Sequence, residues 1–525
     1  MSRGILFFYL IGVLTIVFFS ISIFYFTYKK KIEFIRSTLV IFILFSFYLP
    51  IAQLLKYYSL HSYIDFAAWG EILNNIIRTG ISTSSIQGFF SGQGLNYHWF
   101  AAHFTPLIYL FALPFFFFPY NETIIVLNGL LMISSVIPLY KLAVRLGGNK
   151  IFGLFAATLL LWYPTFQYIA LYEFEMLRFS IPILLWVLYF WEKRQIKWYF
   201  FFVVAAIFVR EEVGLTIGMF GVYILFVEKE RLKGLLTAAL GFGGSVLIIK
   251  VVMPFFSNAP EFSHIVSGLV DQYGTTLWEI IKNMVLQHGG IESSWLSPIK
   301  WANIVMLFIP FLFIPLFAPK PLSSILANVG VGMVSYSLAH TSYMLYYIAP
   351  SVPFILYAFI KGWPVFLQWL QRRASRDVGA AAMYAVLAGV IMANVVFGPS
   401  PISLQFWFKD IRPAPFRTQN FHFSSYQITQ HHKKIVEFIN LIPNNTIIST
   451  QQFLAPRLFQ KKGIMVFPQL ESKDGVFRAE YVFLDKTNNG LESQSAAYIS
   501  ETEQNRVRNA PETWGLIRAA DGYEL

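Results

Sequence analysis

The sequence predicts an α-helical polytopic membrane protein with about 12 transmembrane helices and a small C-terminal α/β domain. Three observations predict it. Hydrophobic residues fill 56% of the 525 positions and charged residues only 13%, about half the charged share of an ordinary soluble domain. Apolar runs recur through residues 1–398 at lengths near the roughly 20 residues that a helix needs to cross a bilayer. Beyond residue 398 the runs shorten and charges of both signs return.

The first run, Gly4 to Tyr28, is too long for a signal-peptide core, and Lys29-Lys30-Lys31 follows it in place of a small-residue cleavage site. It reads as a retained helix. Further spans are predicted over 37–55, 122–141, 151–170, 179–191, 197–210, 212–227, 234–256, 301–318, 322–340, 343–360 and 378–398. Phe104 to Phe118 is apolar enough to span, but Pro106, Pro114 and Pro119 limit it. Counting it would also invert every later loop, so it reads as an interfacial or re-entrant helix.

Basic residues fall in short loops: Lys29 to Lys31 with Arg36; Lys141, Arg145 and Lys150; Lys193, Arg194 and Lys197; Lys229, Arg231 and Lys233; and Lys361 with Arg372, Arg373 and Arg376. The positive-inside rule assigns these loops to the cytoplasm. The net charge of +12 is then topology, and no nucleic-acid partner is implied. The absence of cysteine excludes disulfides, thiolate metal sites and cysteine nucleophiles. This topology makes 56–121 the first extracytoplasmic loop, with interfacial helices, 171–178 the second, and 257–300 a long later one that would cover a site as a lid. Segment 399–430 reads as a membrane-surface linker and 431–525 as an extracytoplasmic α/β domain.

Within that domain, His431 to Ile439 has the pattern of an amphipathic helix ending before Pro443. Thr446–Thr450, Ile464–Phe467 and Glu480–Asp485 have the pattern of short buried strands, with a helical segment around Ala455–Gln460. Strands alternating with helices suggest a parallel sheet.

The residues with chemistry to offer lie in the outer loops. Asp65 precedes an aromatic-rich segment, and His98 and His103 follow it. Such groups at the edge of a bilayer are costly unless water, a partner or a substrate meets them. Aspartate also favours helix N-caps, which is the plain alternative for Asp65. His98 and His103 stand five apart, not at the i, i+4 spacing of a helical zinc pair; they suit hydrogen bonding to a phosphate or acceptor, or a structural role among aromatics. Arg178 and Arg210 are basic residues on the outer side, and arginine's planar fork fits phosphate oxygens; pairing with Glu175, Glu211 or Glu212 is the alternative. Glu211 and Glu212 open a helix, where carboxylates favour the dipole. His340, Tyr343 and Tyr346 are candidates to line a lipid groove.

The order Asp65-Phe66-Ala67-Ala68-Trp69, His98 to Pro106, Ile137-Pro138-Leu139-Tyr140, Arg145-Leu146-Gly147 and Arg210-Glu211-Glu212 resembles a bacterial membrane family known as domain of unknown function 2079. Ile442 to Ile448 and Ala479 to Asp485 are similar to its soluble segment. The resemblance implies membership of the GT-C glycosyltransferases, which use polyprenyl-phosphate-linked sugars, and hence a GT-C-like membrane domain. It implies that Asp65 is a catalytic base or a ligand to a divalent metal, Mg or Mn, and that Glu173 or Glu175 supplies a second acid. Inverting transfer to an envelope glycan, lipid or protein, outside the bacterial cytoplasmic membrane, is the expected activity. The chain departs from related sequences in the second loop, where Phe174-Glu175-Met176-Leu177-Arg178 replaces a histidine and proline. A transporter or flippase for a polyprenyl-linked glycan and a non-catalytic envelope scaffold are the competing readings.

Overall fold

The computed structural model describes residues 3–33, 36–257, 279, 282–283, 297–335, 337–409, 411, 420–487, 516–520 and 523–525. Most of the proposed lid, with His264, Asp271, His288 and Glu292, lies outside the described residues. The chain is mostly helical, with a small sheet near its C-terminus. Six helical stretches are long and apolar enough to cross a membrane: Phe7–Lys30, Ser37–Tyr58, Asn121–Gly147, Arg231–Phe255, Leu338–Gln371 and Gly379–Phe397. The pair Lys150–Trp162 and Pro164–Leu171, bent by 55° at the break, makes a seventh if counted as one span.

The expectation of about twelve is therefore not confirmed among the described residues, where several predicted spans are short helices. Ser180–Glu192 has 13 residues, a rise of about 20 Å against a hydrocarbon core of about 30 Å. Ile196–Ile207 and Val213–Phe226 have 12 and 14. The predicted pair over 301–340 is interrupted by Pro310, Pro315, Pro319 and Pro321, which break it into the helix Pro298–Phe308, three 3-10 turns and the helix Leu326–Val334. Ile108–Phe117 is only ten residues long. It exposes Leu110, Leu113, Phe116 and Phe117.

The five basic loops gather at one end of the bundle. Arg145 donates to the Glu192 carbonyl at 2.7 Å, Arg194 pairs with Glu230 at 3.0 Å, and Lys361 pairs with Glu192 and Glu228 at 3.1 and 3.3 Å. Arg376 covers the Tyr28 ring at 4.2 Å. Alternating helices carry Asp65, Glu173, Glu175 and Arg210 to the opposite end.

Helix Val213–Phe226, which starts directly after Arg210-Glu211-Glu212, is held by glycine contacts. Gly214, Gly218 and Gly221 face Gly241, Phe242 and Ala238. A Cβ on Gly241 would lie 2.2 Å from the Gly218 nitrogen and 2.6 Å from the Gly214 oxygen. Small residues let helix backbones approach this closely in a membrane. Gly241→Leu must part the two helices, and overpacking of this kind costs about 1–3 kcal/mol. The unfolding temperature of the purified protein should fall accordingly. Gly243→Ala, whose Cβ meets nothing within 4 Å, should unfold like the wild type.

The C-terminal sheet contains β1 (Ile447–Thr450), β2 (Gly463–Val466), β3 (Tyr481–Asp485), β4 (Ala519–Ala520) and β5 (Tyr523–Glu524), in the order β2-β1-β3-β5-β4. β1 pairs in parallel with β2 and β3, Ile448 opposite Ile464 and Tyr481. The last two strands pair antiparallel, β5 with β3 and β4 with β5, an extension that the sequence pattern did not predict. Helix Gln430–Leu441 buries Ile435 and Phe438 against the sheet. The domain docks on the Asp65 end: Ile464 N donates to Ser85 Oγ at 2.9 Å, and Asn121 Nδ2 donates to the Pro456 carbonyl at 2.7 Å. Within the linker, the short helix Leu404–Trp407 leaves Trp407 and Phe408 exposed.

Candidate functional site

Asp65 is the second residue of helix Ile64–Thr79, whose N-cap is Tyr63. It is therefore not the cap, and its charge lies in the first turn, where the dipole favours it. Its Oδ2 accepts from Tyr172 Oη at 2.8 Å. The capping carboxylate comes from a different loop: Glu173 Oε2 accepts from Phe66 N at 3.2 Å. One helix start thus joins the first and second outer loops.

The second loop is braced from beneath. Arg178 is fully buried; it donates to Asn128 Oδ1 at 3.0 Å, and both Nη atoms reach the Tyr172 carbonyl at 3.3 Å. Gln53 Nε2 donates to the same carbonyl at 2.8 Å, and Gln53 Oε1 accepts from Asn128 Nδ2 at 2.8 Å. This corrects the expectation that the Arg178 fork faces a phosphate. It is turned inward because the loop's carbonyls need donors.

Arg210 centres a second layer. Its Nη1 donates to Glu175 Oε1 at 3.3 Å, its Nε lies 3.1 Å from Glu212 Oε2, and its Nη2 meets His103 Nε2 at 3.0 Å. Glu211 Oε1 accepts from His103 Nδ1 at 2.8 Å, and its Oε2 accepts from Phe104 N at 2.9 Å. That fixes the His103 proton on Nδ1 and leaves Nε2 to accept from Arg210. Ser245 Oγ anchors the Glu211 carbonyl at 2.6 Å. Arg210, Glu175 and Glu211 are almost fully enclosed, whereas His103 and Glu212 keep 30% and 28% of their side-chain surface exposed. Asp65, Tyr172 and Glu173 are also half-buried. An accessible layer therefore overlies a buried, positioning one.

Electrostatics couple the layers. Enclosure by protein raises Asp65 above the usual carboxylate range, with Glu175 adding to the shift and Tyr172, Arg210 and His103 opposing it. Burial works against the charge on Arg210, but Glu212, Glu175 and Glu211 hold it protonated. Burial also disfavours the Glu211 anion, yet His103 and Arg210 keep it below its ordinary value. For Glu173, burial and the Asp65 charge raise the carboxyl to about 8, against the pull of the Phe66 amide and Lys56. Folded Glu173 thus keeps its proton to about pH 8, while the unfolded chain releases it near 4.5. Its contribution to stability is complete below 4.5 and is lost as pH rises toward 8. Glu173→Gln mimics the protonated form, so the unfolding temperature of the variant minus that of the wild type should climb across this interval. A flat difference would contradict the assignment.

Not every sequence candidate joins the cluster. His98 caps the turn Trp99–Ala101, accepting from Phe100 N at 3.2 Å, and stacks on Phe256 at 4.2 Å. Tyr343 is fully buried against Tyr9 and Tyr168, which corrects its place in an open lipid groove. Buried aromatic packing, not lipid, takes that face. His340 packs on Tyr347 at 4.3 Å. Among the described residues no group of three His, Asp or Glu side chains is arranged to hold a metal ion.

Sequence reasoning missed Lys56 and Tyr172. Lys56 is buried at the end of an apolar span and shares a small polar recess with His61, Ser62 and Glu173. A lone lysine in Leu54-Leu55-Lys56-Tyr57 was the available signal. Tyr346, a sequence candidate for the lipid groove, packs on Tyr172 at 4.9 Å. Glu71, also unremarked, is structural: its carboxylate accepts from Ser84 Oγ and Ser85 N, both at 2.9 Å.

The convergent residues lie in a stretch with a recognised pattern. A family model described as a predicted membrane protein, DUF2079, matches residues 56–525, which include every charged member of the cluster. No curated protein matches the chain. With nearly nine-tenths of its length inside that match, the chain belongs to the DUF2079 family of predicted membrane proteins.

Proposed function

We propose that the protein is an inverting membrane glycosyltransferase of the GT-C type, moving a sugar from a polyprenyl-phosphate donor to an envelope glycan, lipid or protein. One observation carries the reading: Asp65 is a partly exposed carboxylate, oriented by Tyr172 and set in the field of Glu175, Arg210 and His103. The acceptor hydroxyl approaches Asp65, which takes its proton as the oxygen attacks the anomeric carbon. The carbon–oxygen bond to the phosphate breaks on the opposite face, the anomeric configuration inverts, and polyprenyl phosphate leaves with the electron pair. Arg210 and Lys56 offset its charge from behind a layer of protein groups. His103 is the accessible end of the Arg210 network and the first of its members to meet the donor.

The test supplies purified protein in lipid discs with polyprenyl phosphates carrying different hexoses, together with envelope extract as acceptor. Release of free polyprenyl phosphate with an inverted sugar in the product supports the reading. Folded protein that releases none from any donor, in an extract whose glycans change when the protein is deleted, favours a transporter or scaffold. We further propose that the basic end faces the cytoplasm of a bacterial cell and the C-terminal domain the outside. A reporter fused after Arg373 should then be cytoplasmic and one after Ser425 exported. Both reporters on the same side would overturn the placement.

A further inference from the structure

The basic end of the bundle holds a cavity that the proposed chemistry does not use. It measures about 290 Å³ and lies between the first helix, residues 309–313, the end of helix Val352–Gln371 and the start of helix Gly379–Phe397. Ile21, Phe24, Leu312, Trp369 and Ala385 are typical of its walls, and Ser20 contributes the one hydroxyl. From Val17 to Phe24 the first helix rises about 10 Å along it. That is a slot for hydrocarbon, and near its mouth stands a group of cations.

Phe24 stacks on Tyr28 at 5.8 Å, Arg376 covers Tyr28 at 4.2 Å, and Arg373 lies over Trp369 at 4.4 Å. Lys29, Lys30, Arg372 and Arg373 are exposed. No carboxylate among the described residues forms an ion pair with any of these five cations; the neighbouring Asp377 accepts instead from Gly379 N at 3.0 Å. Arg194 and Lys361, by contrast, are matched by Glu230, Glu192 and Glu228.

We propose that this is a binding site for an anionic phospholipid, with one acyl chain in the cavity and the phosphate held by Arg372, Arg373 and Arg376. Arginine forks suit phosphate oxygens, and basic side chains beside a membrane draw anionic headgroups. A zwitterionic lipid offers the same chain, but its ammonium is repelled by the cluster. The combination of slot and charge therefore selects for net negative charge, at the end of the bundle remote from Asp65.

The full chain, delipidated in detergent, is titrated with phosphatidylglycerol or phosphatidylcholine of identical chains, and separately with glycerol phosphate. Bound lipid is counted by native mass spectrometry and unfolding temperature is followed in parallel. Phosphatidylglycerol should be retained and should raise the unfolding temperature, whereas phosphatidylcholine and glycerol phosphate should do neither. The triple variant Arg372→Gln, Arg373→Gln, Arg376→Gln should lose roughly ten- to a hundred-fold in phosphatidylglycerol affinity. Ala385→Phe, which fills the cavity, should lose retention altogether; Ala382→Leu replaces it if the lipid-free protein is destabilised. Equal retention of the two lipids, or unchanged affinity in the triple variant, would overturn the proposal. Binding of glycerol phosphate as tight as that of the lipid would overturn it too, by reducing the site to a basic surface.

Discussion

Asp65→Asn should insert and fold like the wild type while the proposed sugar transfer falls about 10²–10⁴-fold, the usual loss when a general base is removed. Asparagine keeps a carbonyl oxygen to accept from Tyr172 Oη, which Asp65 Oδ2 holds at 2.8 Å. What it loses is the ability to take a proton. Its position in the first turn of helix Ile64–Thr79 tolerates a neutral side chain, since the dipole contribution there is only about 0.3–1 kcal/mol. Tyr172→Phe separates orientation from chemistry: it removes the bond that aims the carboxylate and should reduce transfer less than Asp65→Asn does. The measurement is donor turnover by purified proteins at equal folded concentration, with envelope glycans from the corresponding strains as a second readout. Wild-type turnover in the asparagine variant, with the active donor in hand, would remove Asp65 from catalysis.

Arg210→Met should be the most destabilising single substitution at the site. The guanidinium is 4% exposed and lies among Glu175, Glu211 and Glu212. Without it, Glu175 and Glu211 are left buried as uncompensated like charges, and breaking a buried network in this way costs about 3–5 kcal/mol. The unfolding temperature should fall steeply at neutral pH and recover in part as the medium is acidified, because the stranded carboxylates then take up protons. Adding Glu175→Gln should restore some of the loss, the mark of two coupled neighbours. Glu212→Gln, at 28% exposure, should cost far less. An Arg210→Met protein with wild-type stability would mean that the cluster is solvated and that the layered description of the site is wrong.

How much of this was legible in the sequence depends on the range of the forces involved. Hydropathy and loop charge are local, so the membrane class and the grouping of Lys29, Arg145, Arg194, Lys361 and Arg376 at one end could be read directly. Strand patterns gave β1, β2 and β3 because each is a short buried run between turn residues. β4 and β5 escaped because two-residue strands carry no periodicity. The span count was not confirmed for a related reason: composition registers that a segment such as 179–191 is apolar, whereas helix length and proline breaks are set by local geometry.

The sequence by itself determined which groups are available: Asp65, Glu173, Glu175, His103, Arg210, Glu211 and Glu212, all drawn from polar interruptions between apolar runs. Only the tertiary structure decided what each one does. Glu173 caps Asp65's helix, Arg178 braces carbonyls, His98 caps a turn and Tyr343 is a core residue. A side chain's role here follows from its partners, and those partners lie far away in sequence: Glu173 meets Phe66, Arg178 meets Asn128, and Arg210 meets His103. Burial then converts those meetings into function, because a charge removed from water must find a specific partner or shift its proton affinity.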